Sequence, residues 1–259
     1  MPARSGEQYL ESIRANQPEV WLNGERVTDV TTHPIFAGAI ASVMEQYDLQ
    51  LMPEYRDACL YPSPTTGDLV STSFMIARSQ DDLVKKRQQF KLRSDQNFGL
   101  MGRSPDFMNP QIDRSKTAAQ QEDPFTYLGR VGETAEGIIV RGAKMLGTMA
   151  PITEELVVTP FGGTAEGDDP YALVFAIPTN TAGVKFVCRE PFGTPAGTTF
   201  DHPLSSRFEE MDCIAIFEDV LVPWDRVIID GSPGSGKITN AMRPSPVSCV
   251  TLQTSSRVL

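Results

Sequence analysis

Apolar positions along the chain follow two rhythms, and the change between them falls near Ser115. Before it the spacing is helical. Ser5 precedes a segment that sets Tyr9, Leu10 and Ile13 on one face, which predicts a short amphipathic helix capped by Ser5. "NGERVTDV" combines a turn with a short alternating run, the pattern of a small hairpin. "HPIFAGAIASVMEQYDLQL" is apolar on most faces and carries Pro34 at an N1-like position, so it predicts a buried helix. "SQDDLVKKRQQFKLRSDQ" has Ser79 as a cap, acids early and bases late, as the helix dipole favours.

After Ser115 the runs shorten and become β-branched. "GIIVRGAKMLGTMAP", "EELVVTPFG", "YALVFAIPT", "GVKFVCREP", "MDCIAIFEDVLVP" and "RVIID" are separated by Gly, Pro, Asn and Asp, which predicts a small sheet or barrel. No helical segment of useful length lies between them, so parallel βαβ units are disfavoured. The expected class is α+β, with a mainly helical domain over 1–114, a β domain over 115–230 and an irregular tail over 231–259. The tail opens with "GSPGSGKIT", which matches a phosphate-binding loop at Gly231, Gly236 and Lys237 but has Ile238 where a metal-binding hydroxyl belongs. Pro244 and Pro246 would end the helix such a loop requires, so nucleotide binding is excluded.

Composition narrows the options further. With 40% apolar residues in 259, the chain can build one large or two ordinary cores. A net charge of −10 excludes a general phosphate-backbone binder, and no partner of the nucleic-acid class is expected. No apolar run approaches the ~20 residues of a membrane span, and Met1 to Leu10 lacks a signal-peptide core, so the expected location is cytoplasmic with no membrane partner. Cys59, Cys188, Cys213 and Cys249 are far apart, and with only His33 and His202 beside them the expectation is buried reduced thiols and no metal.

Six stretches carry a resemblance. "SGEQYLESI", "NGERVTDVTTHPIF", "GLMGRSPDFMN", "NPQIDRSK", "GIIVRGAKMLGTMAP" and "DHPLSSRFEEMDCIAIFEDVLVPWDRV" occur in the order found in the oxygenase component of two-component flavin-dependent phenol monooxygenases, the 4-hydroxyphenylacetate 3-monooxygenase family. The chain resembles that family from Ser5 to Val227. The resemblance implies an acyl-CoA-dehydrogenase-like architecture: an N-terminal α domain, a middle β domain and a C-terminal helical bundle through which subunits form a homo-oligomer. Two departures stand out. The bundle has no counterpart, and "GRSPDFMN" and "NPQIDRSK" are fused so that they share Asn109, where the family has a helical insertion. A shortened chain with impaired or absent turnover is therefore expected, and a non-catalytic remnant or interaction protein of the same fold stays open as the alternative.

The family reaction is ortho-hydroxylation of a phenol with reduced FAD, which a separate flavin reductase supplies by diffusion. By resemblance Arg103 pairs with the phenolic substrate, a role that suits a guanidinium, with Ser104 and Phe107 beside it. Phe107 stands where hydroxylating relatives often have Tyr, which shifts substrate preference rather than fold. Gln111, Ile112, Asp113 and Arg114 match the segment that lies along the flavin. Thr148 matches a β-domain hydroxyl near the flavin N5, in a context set by Gly142, Lys144 and Pro151, and joins Arg103 as a catalytic candidate. Pro160 and Phe161 begin the loop expected to cover the substrate. His202 precedes a Pro in a turn between strands and reads as structural, and Glu209 and Glu210 are expected on a polar rim with Arg207. The related 4-hydroxybutyryl-CoA dehydratase would need Cys and His ligands for an iron–sulfur cluster, and no Cys cluster lies near "GRSPDF".

Overall fold

The computed structural model describes residues 2–98, 100, 120, 122–145, 147–160, 168–193 and 199–231. The helical rhythm of the first part becomes α1 (Gly6–Ala15), α2 (Pro34–Leu49), α3 (Arg56–Cys59) and α4 (Gln80–Gln96). Ser5 caps α1 in a reciprocal box with Gln8: each side chain meets the other residue's backbone N–H. Asp48 Oδ1 accepts from the Gly6 N–H at 2.8 Å, so α2 helps to cap α1. Along α2 only Pro34, Ala37, Ala41, Glu45 and Asp48 are exposed, a single narrow stripe, as expected for a buried helix. α4 has the Ser79 cap, answered by Asp82, and its basic end includes Arg93, which is buried rather than solvated and donates to Ser71 Oγ at 3.4 Å.

Three sheets account for the strands among the described residues. β1 (Glu19–Leu22) and β2 (Glu25–Val27) form the expected hairpin. With β9 (Val184–Cys188), β10 (Cys213–Pro223), β6 (Gly137–Lys144) and β5 (Gly129–Glu133) they make a six-stranded sheet in the order β2-β1-β9-β10-β6-β5. β1 runs parallel to β9, with Val20 beside Phe186, and the other pairings in this sheet are antiparallel. β7 (Glu155–Val158), β8 (Leu173–Pro178) and β11 (Val227–Asp230) form a second sheet in the order β11-β8-β7, and β3 (Leu60–Pro62) pairs with β4 (Leu69–Ser71) in a third.

The two larger sheets meet through their apolar faces. Phe175 of β8 and Phe217 of β10 are fully buried with ring centroids 6.1 Å apart and nearly perpendicular. Burial of one such ring contributes about 1.5–3 kcal/mol. One continuous core joins these strands to Tyr9 and Ile13 of α1 and to Phe36, Ile40, Val43 and Tyr47 of α2. α2 also packs on the short helix α5 (Ser205–Phe208): a Cβ on Gly38 would lie 1.9 Å from the Ser206 carbonyl oxygen, and Ser42 Oγ donates to the Arg207 carbonyl at 2.8 Å. Among the described residues no helix is long and apolar enough to cross a membrane.

Candidate functional site

β6 leads into the candidate site and needs a glycine two residues before its end. Gly142 has φ +126, and a Cβ there would stand 2.2 Å from the Tyr127 carbonyl oxygen, so the strand passes directly against the backbone before β5. After Lys144 the chain leaves the sheet. Thr148 therefore lies in a turn directly after β6.

That turn is fastened to the start of β10. The Gly147 N–H donates to the Cys213 carbonyl at 2.8 Å, and the Met149 N–H donates to the Met211 carbonyl at 2.8 Å. Cys213 Sγ donates in return to the Gly147 carbonyl at 2.9 Å. Burial, and then the nearby Cys188 and Asp212, push the Cys213 thiol well above its usual range, which keeps the proton that this bond needs. Met149 adopts the left-handed conformation at φ 59 and opens a 3₁₀ turn over Ala150–Ile152, all three residues buried. Between these anchors Thr148 is partly buried, and its hydroxyl makes no hydrogen bond among the described residues.

The segment after the turn is held by α1. Tyr9 Oη donates to the Ile152 carbonyl at 2.6 Å in the core. Arg4 Nη1 donates to Glu154 Oε1 at 2.7 Å, its Nη2 pairs with Glu154 Oε2, and Ser12 Oγ also donates to Glu154. Burial alone would raise the Glu154 carboxyl, but the hydrogen bonds from Arg4 and Ser12 outweigh it and hold the group below its usual range. Burial pushes the Tyr9 phenol far upward, so it stays a donor.

Of the residues assigned by sequence, Thr148 and Pro160 are described. Pro160 is partly buried, two residues past the end of β7. Arg103, Ser104, Phe107, Gln111, Ile112, Asp113, Arg114 and Phe161 lie outside the described residues. His202 occupies a turn whose carbonyl accepts from the Ser206 N–H at 3.1 Å, ahead of α5 and between β9 and β10. Glu209 and Glu210 are not on a rim: they are 5% and 6% exposed. Arg189 takes Glu209 at 2.7 Å while the Phe192 N–H donates to its other oxygen at 2.8 Å, so the carboxylate is compensated on both sides and can be buried. Arg207 instead pairs at the surface with Glu45 at 3.0 Å. Cys59, Cys188 and Cys213 are buried free thiols, as expected.

Two concavities lie elsewhere. One of about 500 Å³ opens between the β1–β2 hairpin and the start of α2, near Arg26, Asp29 and His33, and one of about 270 Å³ is lined by Phe192, His202, Phe208 and Glu209. Neither is lined by Thr148. Sequence reasoning passed over Arg4, Tyr9, Glu154 and Cys213, which carry no motif. Lys144 was noted only as context for Thr148, yet it makes no hydrogen bond or ion pair among the described residues.

A helical N-terminal part packed on predominantly antiparallel sheets defines an α+β fold of the acyl-CoA-dehydrogenase-like kind. The 4-hydroxyphenylacetate 3-hydroxylase N-terminal family matches residues 5–109 and 107–229, and the chain belongs to it. The two matches overlap at 107–109, where "GRSPDFMN" and "NPQIDRSK" share Asn109.

The oxygenase component of 4-hydroxyphenylacetate 3-monooxygenase from Thermus thermophilus is 39% identical over 270 positions, covering 89% of this chain and 55% of that protein. Since 89% of this chain is about 230 residues, about 40 of those positions have no counterpart here. The oxygenase component of 4-nitrophenol 2-monooxygenase from Rhodococcus sp is 35% identical, over 86% of this chain and 50% of that one. A crystal structure of the oxygenase component of 4-hydroxyphenylacetate 3-monooxygenase complexed with FAD and 4-hydroxyphenylacetate superposes with a TM-score of 0.82 at 38% identity, over 92% of this chain and 58% of that one. The chain thus spans about half the length of the curated relatives it matches.

Proposed function

We propose that this chain supplies the flavin-facing wall of the oxygenase component of a two-component monooxygenase that hydroxylates a phenol ortho to its hydroxyl. The observation that carries the reading is the Thr148 turn, with a hydroxyl that has no partner among the described residues and a backbone fixed by Cys213 and Met211. A hydroxyl held this way is ready to meet a ring nitrogen or carbonyl without reorganising. Four residues earlier in the chain, the Lys144 ammonium, without a partner among the described residues, fits an anionic ligand, so the residues present suit reduced FAD.

When bound, reduced FAD supplies the electrons that activate dioxygen, and that hard step belongs to the cofactor. The chain positions and excludes water. Thr148 donates or accepts at the flavin edge, and the buried Met149, Ala150 and Ile152 back it with apolar surface. By the family resemblance, Arg103, with Ser104 and Phe107, would bind the phenol and favour its anion, Gln111, Ile112, Asp113 and Arg114 would hold the flavin, and Pro160 and Phe161 would begin the cover over the substrate.

The relatives' names support the oxygenase role, a flavin reductase as the partner and a phenol as the substrate. A homo-oligomer and a division into domains 1–114 and 115–230 belong to the same reading. So does a cytoplasmic location, which suits free thiols at Cys59, Cys188 and Cys213.

The test is an anaerobic titration with reduced FAD followed by oxygenated buffer containing a 4-substituted phenol, with chromatography for the catechol. Saturable binding and a catechol support the proposal. Absence of binding would sink it in favour of a non-catalytic interaction protein of the same fold.

A further inference from the structure

Lys144 closes β6 on the side that carries Ile138 and Val140, both completely buried, and it stands opposite Ala215, buried on β10. Alternation along a strand and pairing across it both direct its side chain to the apolar side of the sheet. No carboxylate or hydrogen-bond acceptor meets it among the described residues. The contrast lies within the same sheet, where Lys185 on the outer side pairs with Glu218 at 2.7 Å. Burial pushes the Lys144 amine down to about 8, so at neutral pH it still carries its proton, held without a partner. An uncompensated charge on an apolar face is costly, and that cost is relieved when an anion from outside the chain arrives.

The position of the charge indicates which anion. Lys144 is four residues ahead of Thr148, and the inference rests on the flavin reading of that turn. We propose that Lys144 is the specificity-determining cation that makes this site prefer reduced, anionic FAD to oxidised FAD. The reduced ring spreads its negative charge over a largely apolar body, which suits a partly buried lysine opposite Ala215 on the apolar side of the sheet. The pyrophosphate of FAD carries concentrated charge that stays hydrated, and an apolar sheet face is a poor place for it. Oxidised FAD has a neutral ring and gains nothing from the ammonium.

Anaerobic fluorescence titrations with reduced and with oxidised FAD test this on the full chain, Lys144→Met and Lys144→Arg. Lys144→Met keeps the stem and removes the charge, and the reduced form should lose about 10- to 100-fold in affinity, the range for a hydrogen bond to a charged group, while the oxidised form changes less than about threefold. Lys144→Arg should recover most of the loss. In parallel, reduced FAD should protect Lys144, but not the exposed Lys91, from acetylation followed by peptide mass spectrometry. Equal weakening of both redox forms would overturn the proposal and assign Lys144 to the pyrophosphate. Unchanged affinity of both would remove it from the site. If the unmodified chain binds neither form, the flavin reading fails first and this proposal falls with it, an outcome distinct from the other two.

Discussion

Replacing Lys144 by Met should make the ligand-free protein more stable, and the gain should vanish at high pH. The folded-state pKa is about 8 against 10.5 for a free lysine, and at 1.36 kcal/mol per unit that sets a ceiling of about 3 kcal/mol on the penalty. The side chain keeps some contact with water, so about 1–2 kcal/mol is the expected gain. For a chain of this size that corresponds to a rise of about 2–4 °C in Tm. Below pH 8 both folded and unfolded chains hold the proton, and the penalty is complete. Between pH 8 and 10.5 the unfolded chain binds the proton more, so the unfolding free energy of the unmodified protein climbs with pH, while that of Lys144→Met lacks this contribution. Above pH 10.5 the two should coincide. Urea denaturation followed by circular dichroism at pH 7, 9 and 10.5 measures the gap directly, and other titrating groups cancel in the difference. A Lys144→Met variant that is less stable at pH 7, or a gap that does not narrow with pH, would refute the claim that Lys144 is a charged group without a partner.

Two further outcomes follow from the α1 contacts. Tyr9→Phe leaves the Ile152 carbonyl unpaired in the core and should cost about 1–3 kcal/mol in a thermal melt, and a cost below about 0.5 kcal/mol would show that the contact is not made. Glu154→Gln should cost about 1–2 kcal/mol at pH 7; because the folded pKa lies below the ordinary 4.5, that stabilisation is present above 4.5 and disappears as pH falls through the folded value, so a gap that stays open in strong acid counts against it.

Local chemistry was legible wherever a pattern of a few residues decides it. The Ser5 and Ser79 caps, Pro34 at the first turn of α2, the β1–β2 hairpin and the strands after residue 128 all follow from side chains acting on their own backbone. What escaped was set by partners distant in sequence. Nothing near Glu19 indicates that β1 will lie parallel to Lys185 and its neighbours on β9. The charge of Glu209 suggested a rim, and only the fold brings Arg189 and the Phe192 N–H to it from the preceding strand and loop. The resemblance placed Thr148 in the β domain but could not show that the Gly147 and Met149 bonds to residues 213 and 211 hold its turn. The resemblance carried the family, while the electrostatic state of Lys144 is a property of packing and has no sequence signal beyond the residue itself.

The same packing explains why such a lysine can be kept. The turn bearing Thr148 is secured from two sides: Cys213 at the start of β10 and Met211 just before it hold residues 147 and 149, and α1 with the preceding Arg4 holds Ile152 and Glu154. Each hold is a hydrogen bond or ion pair in low dielectric, where loss of one partner exposes the other to the cost of burial. These bonds fix the backbone around the turn, and among the described residues none supplies Lys144 with an acceptor. Stability is lost at one residue, and the charge stays available to whatever anion enters. A loose turn would reverse the balance: the lysine would find a backbone acceptor, the free protein would gain stability, and an incoming anion would have to displace that acceptor before binding.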